Sequence, residues 1–120
     1  MKIKITERGY AGHFCGARHC LFHRNTLIEY GKKHVIVSTV GNYRPCVIGE
    51  DKSQNEIGCN RFYETMVFEG KKLGVYWEID ASKEIAFKSN WALSELEQET
   101  DAKADKMHEK VVKEISKKIK

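Results

Sequence analysis

The run TLIEY, GKK, HVIVSTV at residues 26–40 constrains this chain more than any other stretch. Two segments rich in β-branched and aromatic residues flank a short glycine-containing loop, and such a pair closes as an antiparallel hairpin. KIKIT at 2–6 alternates with period two, which predicts a half-buried strand carrying Ile3 and Ile5 on one face. RNT at 24–26 reads as a break or bulge ahead of the hairpin, and GARH at 16–19 as a turn. Further on, NRFYETMVFE at 60–69 sets Phe62, Met66 and Phe68 against Tyr63, Thr65 and Val67. GKKLG then turns into VYWEID, where Val75, Trp77 and Ile79 share a face, so a second hairpin is expected. EIAF at 84–87 extends that strand or starts another. Between the hairpins, residues 41–58 collect three glycines, the only proline and several charges, and read as a long loop of the kind that is functional or mobile.

At Ser89 the period changes. Ser94 followed by Glu97 is a capping-box pattern for a first helical segment, which the polar residues 99–102 interrupt. Ala104, Met107, Val111, Ile115 and Ile119 then recur at helical spacing, with His108 and Val112 widening the stripe. The expected fold class is α+β: a single domain over 1–120, with an N-terminal antiparallel β-sheet of about five to six strands (1–88) followed by one or two C-terminal α-helices (89–120). The final stripe packs either on its own sheet or on a second copy of the chain.

Charge bears on partners once it is located. Of the net +4, a surplus of three sits in residues 101–120, which hold seven lysines against four acidic residues. A basic excess confined to the tail argues against a reader of duplex nucleic acid, whose cations line a face of the folded body. No apolar run reaches the roughly 20 residues of a membrane span, and MKIKITERGY has no signal-peptide core, so a cytoplasmic protein is expected.

Chemistry-bearing residues crowd into 8–41, which hold four of the five histidines, two of the four cysteines and three of the five arginines. Cys15 and Cys20 flank GARH and read as structural thiols; no metal and no cofactor is assigned. The alternative is a zinc-stabilised protein- or nucleic-acid-binding module on His13, Cys15, Cys20 and His23. Walker, GxGxxG, HExxH and GxSxG patterns are all missing, and no catalytic residue is assigned. A binding module fits better, because adenine-containing ligands are held by aromatic stacking and by arginine on phosphate. Arg24, Arg44 and Arg61 fall at strand ends or in the long loop, with Asn25 and Thr26 beside the first. Phe87, Asn90 and Trp91 fall at the strand-to-helix junction, where free backbone N–H groups meet anions. A third reading is an inhibitor that docks on a host protein through a sheet edge or the 41–58 loop.

RGYAGHFCGARHCLFHRNTLIEYG, VSTVG, RFYETMVFE, YWEIDASKEIAF and MHEKVV together span most of the chain. They resemble a family of small phage and prophage proteins, the Thoeris anti-defence sponges. The resemblance implies an N-terminal antiparallel sheet with C-terminal helices, assembled as a homodimer or higher homo-oligomer. It implies no enzymatic activity. The implied partner is a small nucleotide-derived signalling molecule, a cyclic ADP-ribose isomer made by TIR-domain immune enzymes, with cyclic oligonucleotides as a further class. An arginine that the family places on the C-terminal helix has no counterpart here, where every basic residue after Arg61 is lysine or histidine. Lysine supplies charge without the bidentate fork.

Overall fold

The computed structural model describes residues 2–8, 20–43, 63–73, 76–84, 92–93 and 101–120. Its elements are β1 (Lys4–Glu7), β2 (Cys20–Tyr30), β3 (Lys33–Tyr43), β4 (Tyr63–Leu73), β5 (Tyr76–Glu84), β6 (Ala92–Leu93) and α1 (Asp101–Lys118). Four long strands, β2 to β5, run antiparallel in sequence order; the short β1 flanks β2, and the two-residue β6 pairs with β4. Among the described residues one helix follows the sheet, so the fold is α+β. The first helical segment expected from Ser94 lies outside the described residues.

The hairpin read at 26–40 is the centre of the sheet. Tyr30 pairs with Lys33 across a two-residue loop, Gly31–Lys32. Gly31 sits at φ 60°, where a glycine in the first loop position gives a turn whose twist matches that of the strands. The expected break at RNT is absent. From Phe22 to Tyr30 every residue has a partner on β3, because Thr26 and Asn25 find hydrogen-bond partners that let the strand run through polar sequence. The loop expected from residue 41 does not begin there, since β3 continues to Tyr43; its residues 44–58 lie outside the described residues. Asn42 of β3 takes φ 53°, a conformation asparagine tolerates better than most residues. Likewise GKKLG is not a turn through its length: β4 continues to Leu73, after a register shift between Phe68 and Gly70.

Strand alternation divides the side chains between two faces. Ile28, Val35, Val37 and Val67 point one way and meet Val111, Val112, Ile115 and Ile119 of α1. The stripe therefore docks on the chain's own sheet. Ile36, Val40 and Phe68 alternate to the other face and are buried too, which is why 35–40 reads as a continuous apolar run broken only by Ser38 and Thr39. Ile3 packs at the margin of the core, whereas Ile5 stays 50% exposed, because β1 is the outermost strand and α1 lies over β2, β3 and β4. The helix is tied at both ends. Tyr63 donates its hydroxyl to Asp101 at 2.7 Å and Asn42 its amide at 3.3 Å, while Lys33 Nζ donates to the Ile119 carbonyl at 3.0 Å. An acid at the start and ammonium groups at the end also suit the helix dipole. No helix among the described residues is long and apolar enough to cross a membrane.

Ile115 is 1% exposed and central to this contact. Ile115→Ala is expected to cost roughly 2–5 kcal/mol, read as a lower urea midpoint with an unchanged denaturant slope.

Candidate functional site

The apolar contact gives way to polar chemistry toward the N-terminal half of α1. Glu7, Arg24, Thr26, Thr39 and Thr65 share the helix-facing side of the sheet, because Glu7 pairs with Thr26, Arg24 with Thr39 and Thr39 with Thr65. His108 is fully buried and enters this row from the helix. Its Nε2 lies 2.7 Å from Thr26 Oγ1 and its Nδ1 2.7 Å from Thr39 Oγ1. Thr39 in turn is hydrogen-bonded to Thr65, and Thr26 Oγ1 is 2.6 Å from Glu7 Oε2.

The carboxylate at one end fixes the direction of the chain. Ionised Glu7 only accepts, so the Thr26 hydroxyl donates to it and receives its own hydrogen bond from His108 Nε2–H. In the neutral ring Nδ1 is then the acceptor, so Thr39 donates to Nδ1 and accepts from Thr65. Every hydrogen bond runs one way, from Thr65 to Glu7. Burial pushes the imidazole down to about 4, helped by the nearby Arg24 charge and opposed by Glu7, Glu109 and Asp105. Neutral His108 thus satisfies both ring nitrogens without carrying charge into the interior.

Arg24 closes the seam at the surface. Its Nε and one terminal nitrogen grip the Glu7 carboxylate at 3.3 and 2.9 Å. The other terminal nitrogen meets Asp105 at 2.8 Å and Glu109 at 2.7 Å, both from α1. Burial alone would raise the Glu7 carboxyl, but the Arg24 and Thr26 hydrogen bonds outweigh it and hold the carboxyl below its ordinary value. Arg24 is desolvated as well, yet Glu7 and Glu109 hold its guanidinium firmly protonated. Three carboxylates around one guanidinium leave the cluster net negative. An anionic ligand reaches Arg24 only by displacing Asp105 and Glu109, which are 55% and 53% exposed and have room to swing away.

Of the residues expected to meet a ligand, Arg24, Asn25 and Thr26 are described, and they do not act together. Arg24 and Thr26 face α1; Asn25 faces the opposite side, 2% exposed, and accepts from Arg8 Nε at 2.9 Å. Asn25 and Thr26 are both buried and spend their side chains on the fold. Arg44, Arg61, Phe87, Asn90 and Trp91 lie outside the described residues. The zinc alternative meets a geometric obstacle: Cys20 and His23 are three residues apart on one strand and project from opposite faces. Cys20 is also buried, which pushes its thiol up to about 11. His13 and Cys15 lie outside the described residues.

In the sequence His108 does no more than widen an apolar stripe. A histidine at a core position of a helix is the available signal, but its hydrogen-bond partners come from two strands, β2 and β3, whose register no short pattern reveals. The chain matches no family model, no curated protein and no solved structure.

The seam makes stability depend on pH. The unfolded chain protonates histidine near its ordinary value of 6.5, whereas folded His108 does so only near 4. The unfolded state therefore binds the proton first, and stability present above about pH 6.5 is lost as pH falls toward 4, by roughly 3 kcal/mol. Urea titrations across this window should show the slope in the wild type and a flattened one in His108→Gln; equal slopes would contradict the assignment. Glu7 adds its own loss at lower pH, below the ordinary carboxylate value, as Arg24 loses its partner.

Proposed function

We propose that this protein is a non-enzymatic phage immune-evasion protein that binds and sequesters a cyclic nucleotide signal made by bacterial anti-phage defence. The ligand class is a cyclic ADP-ribose isomer, with cyclic oligonucleotides as a second class. The observation that carries this reading is the resemblance of five segments, spread over most of the chain, to the Thoeris anti-defence sponges. The order of an antiparallel sheet followed by a C-terminal helix agrees with what that resemblance implies.

Within this reading the protein acts in the host bacterial cytoplasm as a homodimer or higher homo-oligomer. Arg24 is the surface-accessible cation among the described candidates, at 20% side-chain exposure. Arg44 and Arg61 supply further charge to a pyrophosphate, Phe87 and Trp91 stack on adenine, and Asn90 meets a ribose. The mechanism is stoichiometric capture: the signal is held intact and away from its receptor. Competing with a receptor by mass action requires tight binding, and nanomolar affinity corresponds to about −12 kcal/mol. A site shared between protomers reaches that figure more readily than a surface groove.

Purified protein mixed with cyclic ADP-ribose isomers and cyclic oligonucleotides should show a raised melting temperature with at least one of them. Ligand released by heating should be chemically unchanged. Recovery of a cleaved product would replace the sponge by an enzyme, and no shift across the panel would remove the reading.

A further inference from the structure

The basic surplus of residues 101–120 has a definite place on α1. Lys106, Lys110, Lys113 and Lys117 are separated by four, three and four residues, a spacing that puts all four on one helical face. That face is opposite the buried stripe of Ala104, His108, Val111 and Ile115, so the lysines run along the crest of the helix, away from the sheet. All four are exposed. Among the described residues none of their ammonium groups has an ion-pair or hydrogen-bond partner. Asp105, Glu109 and Glu114 flank them on the same exposed side of α1.

The acids beside the lysines lie at the margins of the row. Asp105 and Glu109 are turned toward Arg24, at 2.8 and 2.7 Å. Glu114 is half-buried at the other margin. What faces solvent along the crest is a row of four unpaired cations about 16 Å long, from the rise of 1.5 Å per residue.

We propose that this crest is a sequence-independent binding surface for the phosphate backbone of single-stranded nucleic acid, distinct from the Arg24 cluster and independent of the signal-sequestering function. The row is longer than a mono- or diphosphate, which meets one or two lysines, whereas a linear phosphate backbone meets all four. Lysine is a point charge that tolerates any phosphate orientation. The crest carries no aromatic or amide side chain to stack on or hydrogen-bond a base, so it does not discriminate sequence. An anionic membrane is a poorer partner, because helices that lie in an interface insert an apolar face, and the apolar face of α1 is already spent on the sheet.

Fluorescence anisotropy with labelled oligothymidylate of about 12 nucleotides tests this on the full chain. Neutralising four phosphates of a single strand gives a log–log salt slope of about −2.8, so a tenfold rise in salt should weaken binding roughly 600-fold. Lys106→Gln, Lys110→Gln, Lys113→Gln and Lys117→Gln combined should abolish binding at low salt while leaving the melting temperature close to wild type, since glutamine is a good helix former on an exposed face. A charge-matched control, Lys2→Gln, Lys4→Gln, Lys32→Gln and Lys71→Gln, should retain most of the binding. Equal losses in the two variants would show a net-charge effect and overturn the proposal, as would an absence of binding at low salt. Tighter binding to duplex of equal length or to phosphatidylserine vesicles would assign the crest to those partners instead.

Discussion

The hydrogen bonds that His108 makes with Thr26 and Thr39 decide how the helix sits on the sheet. An apolar stripe alone is a permissive fastener: Val111, Val112, Ile115 and Ile119 would bury comparable area if α1 slid or rotated slightly over the valines of β2, β3 and β4. A fully buried imidazole tolerates no such freedom, because each ring nitrogen has one hydroxyl within reach and any shift would strand a polar atom in the interior. The contact therefore contributes uniqueness as much as stability. Its orientation is set from outside by the Glu7 carboxylate, which determines which way every hydroxyl in the row points.

The same seam explains the state of Arg24. A guanidinium beside a buried imidazole disfavours a second positive charge there, and the carboxylates of Glu7, Asp105 and Glu109 hold it at the surface margin. The arrangement clamps β1 and α1 to β2 through one side chain, with a fork geometry that lysine would not reproduce. It also divides the charge of α1 into two territories. The acids on one flank are committed to the sheet, and the lysines on the crest are left to solvent.

Much of the fold was legible because it rests on local periodicity. The hairpin around Gly31, the second hairpin and the C-terminal amphipathic helix all follow from spacing and turn chemistry within a few residues. Errors came where a tertiary partner overrode local character. RNT looked like an interruption because arginine, asparagine and threonine seldom fill the middle of a strand; each is held there by a residue distant in sequence, Glu7 and Asp105 for Arg24, Arg8 for Asn25, His108 for Thr26. GKKLG suggests a turn because glycine and lysines crowd together, yet β4 runs as far as Leu73 after an irregularity between Phe68 and Gly70. Of the candidate site, Arg24 was singled out for its charge, while the carboxylates that occupy it were invisible without the register of β1 and the docking of α1.

By itself the sequence determined the α+β order of elements, the face of α1 that is apolar and the concentration of basic charge on that helix, because each depends on side-chain type at a fixed local period. Only the tertiary structure decided that the apolar face lies on the chain's own sheet. It alone joined Thr26 of β2 and Thr39 of β3 to one histidine, with Thr65 of β4 behind Thr39, and it alone surrounded Arg24 with acids from β1 and α1. Those contacts run from 17 residues for Arg24 with Glu7 to 82 for Thr26 with His108 and beyond for Arg24 with Glu109, and their partners are chosen by strand register and helix position, which are properties of the folded whole.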